Sequence, residues 1–334
     1  MRGWRTLRCM RVVIHVGAHK TGTSLVQRYF NDDAQRNQTL GIGFIPRADI
    51  SLLLGWGNKP PELLQSRLEE EAARRPSVIL TSHENTLGRP FLPNRPGLYP
   101  DATQGAEALA KACDGFDTHV VFYVRPIADF LESFYLQTIH QGAWHSFEEW
   151  YESLSGTHAW TPAVEALEHA FGADRVILGD FAEISGGQNQ FLRQFMTRSG
   201  IPQPSTVDYE RVHNPSISAR GLQIARGINP HLHDARERRV TRLFLQKHFS
   251  NQLEDRARPM PADLRQSITD QMAAEYESLA ARASTALATP PEPPPLPEQP
   301  LPEVSPRPAA TATRRGRNLK HRSRRLVDRI RARR

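Results

Sequence analysis

One loop of the sequence combines two glycines, a lysine and hydroxyl side chains at spacings that suit an anion. It follows an apolar run of strand length and leads directly into a helical pattern. Such a loop points several backbone N–H groups and the positive end of a helix dipole at one place, which is what an oxyanion requires. The loop therefore predicts a binding site for a phosphate group.

The order of residues in this loop differs from that of the ATP-binding loop of P-loop kinases. Gly17 and Gly22 have the interval of G-x-x-x-x-G-K-[ST], but Thr23 stands where that motif has its lysine. The lysine of this chain lies inside the loop, at position 20. A P-loop kinase or other NTPase stays open as an alternative, although it would need a lysine after Gly22 and an aspartate for Mg²⁺.

A second segment offers a fixed positive charge at the end of another apolar run. Arg125 ends the run at 120–124, and Ser133 follows eight residues later in a helical pattern. Arginine presents a two-pronged donor that suits phosphate, and Pro126 suits the first turn of a helix. Both segments end predicted strands, and parallel α/β sheets bind ligands at the carboxyl ends of their strands.

Together the two segments resemble sulfotransferases that use 3′-phosphoadenosine 5′-phosphosulfate (PAPS). The order G-x-x-K-T-G-T-S is similar to the family's 5′-phosphosulfate loop, and the pair Arg125 and Ser133 is similar to its 3′-phosphate motif. The resemblance implies PAPS as the sulfuryl donor and no metal ion. It implies that Lys20, Thr21, Gly22, Thr23 and Ser24 bind the 5′-phosphosulfate, with Lys20 on the leaving-group side. It also implies that Arg211, in a segment similar to the family's Asn-x-Ser stretch, closes over the 3′-phosphate. The family's C-terminal Arg-Lys-Gly signature is absent.

The predicted base follows the strand at 77–81. In the resembled family this region supplies a histidine in cytosolic small-molecule enzymes and a glutamate in several carbohydrate enzymes, and this chain has His83 and Glu84. Ser82-x-Glu84 is similar to the pattern of bacterial carbohydrate-type members and favours Glu84, with desolvation expected to raise the pKa of its carboxyl. His83 stays open as the base. The resemblance implies a hydroxyl or amine of a carbohydrate or glycolipid as acceptor.

Strand and helix patterns alternate along most of the chain. Apolar or β-branched runs predict strands at 11–16, 43–46, 77–81, 118–124 and 175–179. Helical periodicity predicts helices at 23–33, 61–74, 103–112, 126–141, 162–171 and 188–199, and an all-helical part at 222–228, 235–249 and 261–286. This alternation predicts an α/β fold with a P-loop-like parallel sheet flanked by helices and a helical C-terminal part. Aromatic residues at 144–160 either stack on sugar rings or pack in the core.

The last part of the chain differs in composition. Residues 290–308 hold ten prolines, and residues 313–334 hold eleven bases and one acid. We therefore predict a sulfotransferase domain at 1–288, a disordered Pro-rich linker at 289–313 and a basic tail at 314–334. Residues 313–334 carry a formal charge of +10, whereas the whole chain carries +7, so residues 1–312 carry −3. Sequence-specific nucleic acid is not an expected partner, whereas the tail is able to contact an anionic membrane surface or another polyanion.

Cysteine content and apolar runs predict a cytoplasmic protein, peripheral at the inner membrane surface if the tail binds there. The two cysteines are too few for a disulfide framework, and the apolar runs are too short for a signal peptide or a membrane span. A non-enzymatic nucleotide-binding module tethered by its tail is the second alternative to the sulfotransferase.

Overall fold

The computed structural model describes residues 10–54, 60–210 and 215–296, with only the backbone described at 51–54. Five parallel strands form one sheet in the order β2-β3-β1-β4-β5. The strands are β1 Arg11–His15, β2 Ile42–Ile45, β3 Val78–Ser82, β4 Asp117–Val124 and β5 Val176–Asp180. The predicted α/β class, with a P-loop-like parallel sheet flanked by helices, is confirmed.

Helices connect the strands and then form the C-terminal part. They are α1 Thr23–Asp32, α2 Ala34–Thr39, α3 Arg47–Leu54, α4 Pro61–Ala72, α5 Ala102–Ala112, α6 Ile127–His140, α7 Phe147–Glu152, α8 Thr161–Phe171, α9 Gln188–Ser199, α10 Ala219–Ile228, α11 Ala235–His248 and α12 Ala262–Ala288. Short 3₁₀ segments lie at Ala173–Arg175, Phe181–Gly186 and Asn229–His231.

Apolar side chains on both faces of the sheet explain why helices cover both. In the central strand β1, Val12 and Ile14 belong to one core cluster and Val13 to the other, as the two-residue period of a strand requires. Helices α4, α5, α6 and α8 contribute buried residues to the first cluster, and α1 and α9 to the second. Neither face of β1 is therefore left to solvent.

The order of the strands places three polar segments side by side. β1 lies between β3 and β4, and His15 at its end is in register with Ser82 on one side and Val121 on the other. The His83 N–H donates to the His15 carbonyl at 2.9 Å, and the Val16 N–H donates to the Val121 carbonyl at 3.1 Å. This is the position at which connections leave in opposite directions, where open α/β sheets form a ligand crevice.

The end of the described chain returns to the amino ends of the strands, opposite the ends that carry the polar segments. Arg11, the first residue of β1, donates from Nη1 to the Glu292 carbonyl at 3.0 Å. Ser77, directly before β3, hydrogen-bonds the Pro295 carbonyl. Residues 292–295 are thus held at the amino ends of the strands. Residues 297–334, which include most of the predicted linker and the whole basic tail, lie outside the described residues.

Candidate anion-binding and proton-transfer site

The loop between β1 and α1 has the backbone of an anion cradle. Gly17, Lys20 and Gly22 adopt left-handed conformations, with φ of +34°, +64° and +85°. A β-carbon at Gly17 would lie 2.4 Å from Thr23 Oγ1, and one at Gly22 would lie 2.9 Å from the Phe191 ring. Both positions therefore need glycine. Alternation of handedness along such a loop turns successive N–H groups toward one side.

The donors of this loop are available to a ligand. Among the described residues, no acceptor pairs with the backbone N–H groups of residues 20–24, and the N-cap of α1, Gly22, has no side chain to cap the helix. The Thr21 hydroxyl, by contrast, donates to the Ala18 carbonyl at 2.6 Å and braces the loop from inside. Thr21 is fully buried and its hydroxyl is used inside the loop, whereas Ser24 is exposed at the first turn of α1. Unpaired N–H groups at a helix start attract anions.

Arg125 and Lys20 meet at the mouth of the loop. Arg125 Nη1 donates to the Lys20 carbonyl at 3.0 Å, and the guanidinium lies 5.1 Å from the centre of the Phe181 ring. The buried Trp160 fixes the backbone of Arg125, because its indole N–H donates to the Arg125 carbonyl at 2.7 Å. The two predicted phosphate-binding segments are therefore in direct contact.

Positive charge from several side chains is concentrated at this place. The Lys20 side chain reaches solvent, but surrounding protein desolvates the ammonium, and with the charges of Arg125 and Arg256 this lowers its pKa to about 8. Burial, together with Arg256 and Arg265, lowers the pKa of Arg125 to about 10, against the opposing effect of nearby carboxylates. Within the described part of the chain, Lys20 and Arg256 have no ion-pair partner. Repelling cations in a partly desolvated cleft favour an anion.

Arg256 is a site residue that the sequence did not reveal. It lies between α11 and α12, where a backbone bridge to Ser218 fixes its position, and its buried Nε has no partner among the described residues. Its neighbour in the cluster, Arg265, is engaged with Asp129 at 2.7 Å and Glu132 at 2.8 Å. The uncommitted third cation is therefore Arg256. No motif marks it in the sequence.

Of the two other predicted phosphate ligands, Ser133 and Arg211, the structure describes only Ser133. Ser133 lies in α6, is nearly buried, and forms no hydrogen bond to a described residue. Phe134, beside it, has its ring edge against His19 of the loop, with centroids 6.0 Å apart. Arg211 lies outside the described residues, so its predicted role over the 3′-phosphate stays a prediction.

Glu84 is held at the end of β3 by two side chains. Gln27 Nε2, from α1, donates to Glu84 Oε2 at 2.9 Å and to the Ser82 carbonyl at 3.0 Å. Arg47 lies 2.8 Å from Glu84 Oε1. Burial raises the pKa of Glu84, but Arg47, a backbone N–H and Gln27 outweigh it and lower the pKa overall. The expected rise in this pKa is therefore wrong, and the carboxylate is ionised at neutral pH.

His83 is also unprotonated at neutral pH. Burial is the main reason that its pKa falls to about 4, and Arg47 adds to the effect. Its Nδ1 accepts the Asn85 N–H at 3.2 Å, which assigns the proton of the neutral ring to Nε2. In this tautomer Nε2 of His83 is a donor rather than a base.

His19 joins the loop to this pair. The Tyr99 hydroxyl accepts the His19 N–H at 2.8 Å and, retaining its own proton because burial raises the pKa of Tyr99, donates to His19 Nδ1 at 2.9 Å. Burial lowers the pKa of His19 to about 4, with Glu84 opposing and His83 contributing. The base candidates therefore lie beside the residue that precedes Lys20. Tyr99 keeps a left-handed backbone, with φ of +54°.

The remaining sequence expectations fall outside this cluster. Of the aromatic residues at 144–160, Phe147 and Trp160 lie in the core, whereas Trp144 is half exposed. Within the described ranges, no three His, Cys, Asp or Glu side chains gather at a place that would hold a metal ion. The helices described also include none with the length and apolarity to cross a membrane.

The fold is that of an α/β protein with a P-loop-like parallel sheet, and the loop after its central strand carries unpaired backbone N–H groups. No protein-family model matches the chain. No curated protein matches it at a significant level. Among solved structures, the chain is similar to the crystal structure of a sulfotransferase from Alicyclobacillus acidocaldarius, with 16% sequence identity and a TM-score of 0.42, covering 83% of this chain and 98% of that chain.

Proposed function

We propose that this protein is a sulfotransferase that moves a sulfuryl group from PAPS to a hydroxyl or amine of a carbohydrate or glycolipid. The observation that carries the proposal is the contact of Arg125 with the Lys20 carbonyl beside a row of unpaired N–H groups. Two cationic segments joined in this way suit a ligand with two anionic groups. The carbohydrate or glycolipid acceptor is taken from the sequence resemblance.

The residues present fit the donor. The backbone N–H groups of residues 20–24 and the Lys20 ammonium would hold its 5′-phosphosulfate, and Arg125, Arg256 and Ser133 would hold its 3′-phosphate. When bound, PAPS supplies a sulfuryl group attached to a phosphate leaving group. Lys20 then neutralises the negative charge that accumulates on the leaving side, as fixed cations do in phosphoryl transfer.

Glu84 is the proton acceptor in this proposal. Its carboxylate is ionised, whereas neutral His83 carries its proton on Nε2. Gln27, Arg47 and a backbone N–H fix the carboxylate and occupy three of its about four acceptor positions, which leaves one to accept a hydroxyl proton. His83 would position the acceptor as a hydrogen-bond donor.

Binding of the spent donor, 3′-phosphoadenosine 5′-phosphate (PAP), tests the proposed function. By isothermal calorimetry we expect PAP to bind about 100-fold more tightly than AMP, since charged hydrogen bonds to the 3′-phosphate contribute roughly 1.5–3 kcal/mol each. Arg125→Ala and Arg256→Ala are expected to remove most of this preference and to leave AMP binding within about threefold. Arg220→Ala, at an exposed arginine, is the matched control.

Two outcomes contradict the proposal. Equal affinity for PAP and AMP would remove the 3′-phosphate site, and tighter binding of ATP with Mg²⁺ would favour the P-loop kinase. Loss of all nucleotide binding in Arg125→Ala, with AMP included, would mean that Arg125 holds the loop through Lys20 rather than the ligand.

Substitution of the two base candidates separates their roles. Glu84→Gln is expected to lower kcat by about 10²–10⁴-fold, because a positioned base contributes that much, with the Kd for PAP unchanged. His83→Gln is expected to raise the acceptor KM more than it lowers kcat. PAP release from PAPS, with an acceptor that supports turnover by the unsubstituted protein, measures both. The opposite pattern assigns the proton to His83.

A further inference from the structure

Helix α11 presents an unusual outward face. Val240, Leu243 and Phe244 are 59%, 51% and 49% exposed, although they have the spacing i, i+3, i+4 that normally faces a core. Leu245, on the other side, is the buried residue of this helix. The apolar stripe of Val240, Leu243 and Phe244 therefore points away from the protein.

Cations frame this stripe. Arg236 and Lys247 lie on the same side at its two ends, Arg239 lies along one flank, and all three are exposed. The helix has five arginine or lysine residues and one acidic residue, Glu237, whose carboxylate accepts the His233 N–H at 2.7 Å. An apolar stripe bordered by cations matches the boundary between acyl chains and anionic headgroups.

We propose that α11 docks on the surface of an anionic lipid bilayer, with the apolar stripe entering the headgroup boundary. Arg236, Arg239 and Lys247 would contact lipid phosphates. Charge decides between a bilayer and a second copy of this chain. A symmetric pair through this face would bring these three cations against the same three on the partner, at a cost that rises as water is removed.

The inner side of α11 packs against the turn that follows α6, where a β-carbon at Gly142 would lie 2.9 Å from Arg238 Cδ. Burial lowers the pKa of His140, at the end of α6, to about 4, and the charges of Lys20 and Arg242 both contribute. Arg242 of α11 therefore lies on the same side of the molecule as Lys20. A bilayer on the outer face of α11 would place lipid headgroups near the cleft, which, given the proposed function, favours an acceptor carried by a lipid.

A fluorophore on the stripe tests docking separately from any binding by the basic tail. In the full chain, Leu243→Cys provides a thiol for an environment-sensitive dye. Cys9→Ser removes a competing thiol, and Cys113 is buried. Leu63→Cys, at a similarly exposed leucine on α4, is the matched control. Vesicles are made of phosphatidylcholine alone or with one third phosphatidylglycerol.

We expect a blue shift and at least about a twofold rise in emission at position 243, only with the anionic vesicles, and none at position 63. In about 0.5 M NaCl the rise should fall sharply, because salt screens surface charges. Val240→Glu combined with Phe244→Glu should weaken vesicle binding by at least about tenfold, with PAP binding unchanged. The PAP control keeps failure of docking distinct from failure of the proposed function.

Three results overturn the proposal. The first is vesicle binding without any change at position 243, which assigns the contact to another part of the chain. The second is an equal rise at positions 243 and 63. The third is a shift at 243 that needs no vesicles and grows with protein concentration, which assigns the stripe to a second copy of this chain.

Discussion

Replacing Lys20 by alanine is expected to lower kcat by about 10²–10³-fold, the usual loss when a charge aimed at the transition state is removed. The larger part of the effect should appear in kcat rather than in the Kd for PAP, because Arg125 and the loop N–H groups still bind the nucleotide. The left-handed backbone at this position is kept, since alanine and lysine share the β-carbon that restricts it. Lys111→Ala, at an exposed lysine, is the control.

The same lysine predicts how activity depends on pH. Desolvation and the neighbouring arginines lower the pKa of Lys20 to about 8, so its ammonium loses its proton as pH rises through that value. The kcat/KM for PAPS should therefore fall above about pH 8. Lys20→Arg should move this fall to higher pH, because a guanidinium stays protonated. A fall unchanged by Lys20→Arg would assign the titration to another group.

Glu183→Gln is expected to destabilise the folded protein by about 3–5 kcal/mol, because it leaves a buried guanidinium without its counter-charge. Arg198 is 0% exposed and pairs with Glu183, with one contact at 3.0 Å. It also donates to the Tyr123 hydroxyl at 2.8 Å. These bonds join α9 and the segment Phe181–Gly186 to β4. Urea unfolding followed by circular dichroism measures the loss.

A double variant shows whether the charge is the cause. Arg198→Met removes the guanidinium, and its combination with Glu183→Gln should recover much of the loss, since an apolar side chain often replaces a buried ion pair without cost. Additive losses in the double variant would contradict the argument. A loss below about 1 kcal/mol for Glu183→Gln would mean that water reaches Arg198.

The strands and long helices followed from the sequence because burial on both faces leaves a strong pattern. β1, β3 and β4 are runs of apolar residues, as a parallel sheet covered by helices requires. The prediction missed α2, α3 and α7, which span six to eight residues and give little periodicity. A capping box at Ser146 and Glu149 was the available signal for α7.

The candidate site was predictable where its residues are neighbours in the chain. The loop at 17–24 carries its own pattern, whereas Gln27 reaches Glu84 across 57 residues and Tyr99 reaches His19 across 80. Such contacts depend on how the elements pack together, and the spacing of residues along the chain does not reveal that packing. The pKa of Glu84 is an example, because the direction of its shift is set by Arg47 rather than by burial alone.

The return of the chain to the amino ends of the strands has a practical consequence for handling the protein. Arg11 and Ser77 hold residues 292–295 at the amino ends of the strands, whereas the loop at 17–24 follows His15 at the carboxyl ends. The two ends of β1 are roughly 15 Å apart. A capture tag inserted directly after residue 296 therefore starts at the end of the sheet that is remote from this loop. Immobilised on a sensor chip through such a tag, the protein would present the loop at 17–24 to the flowing solution.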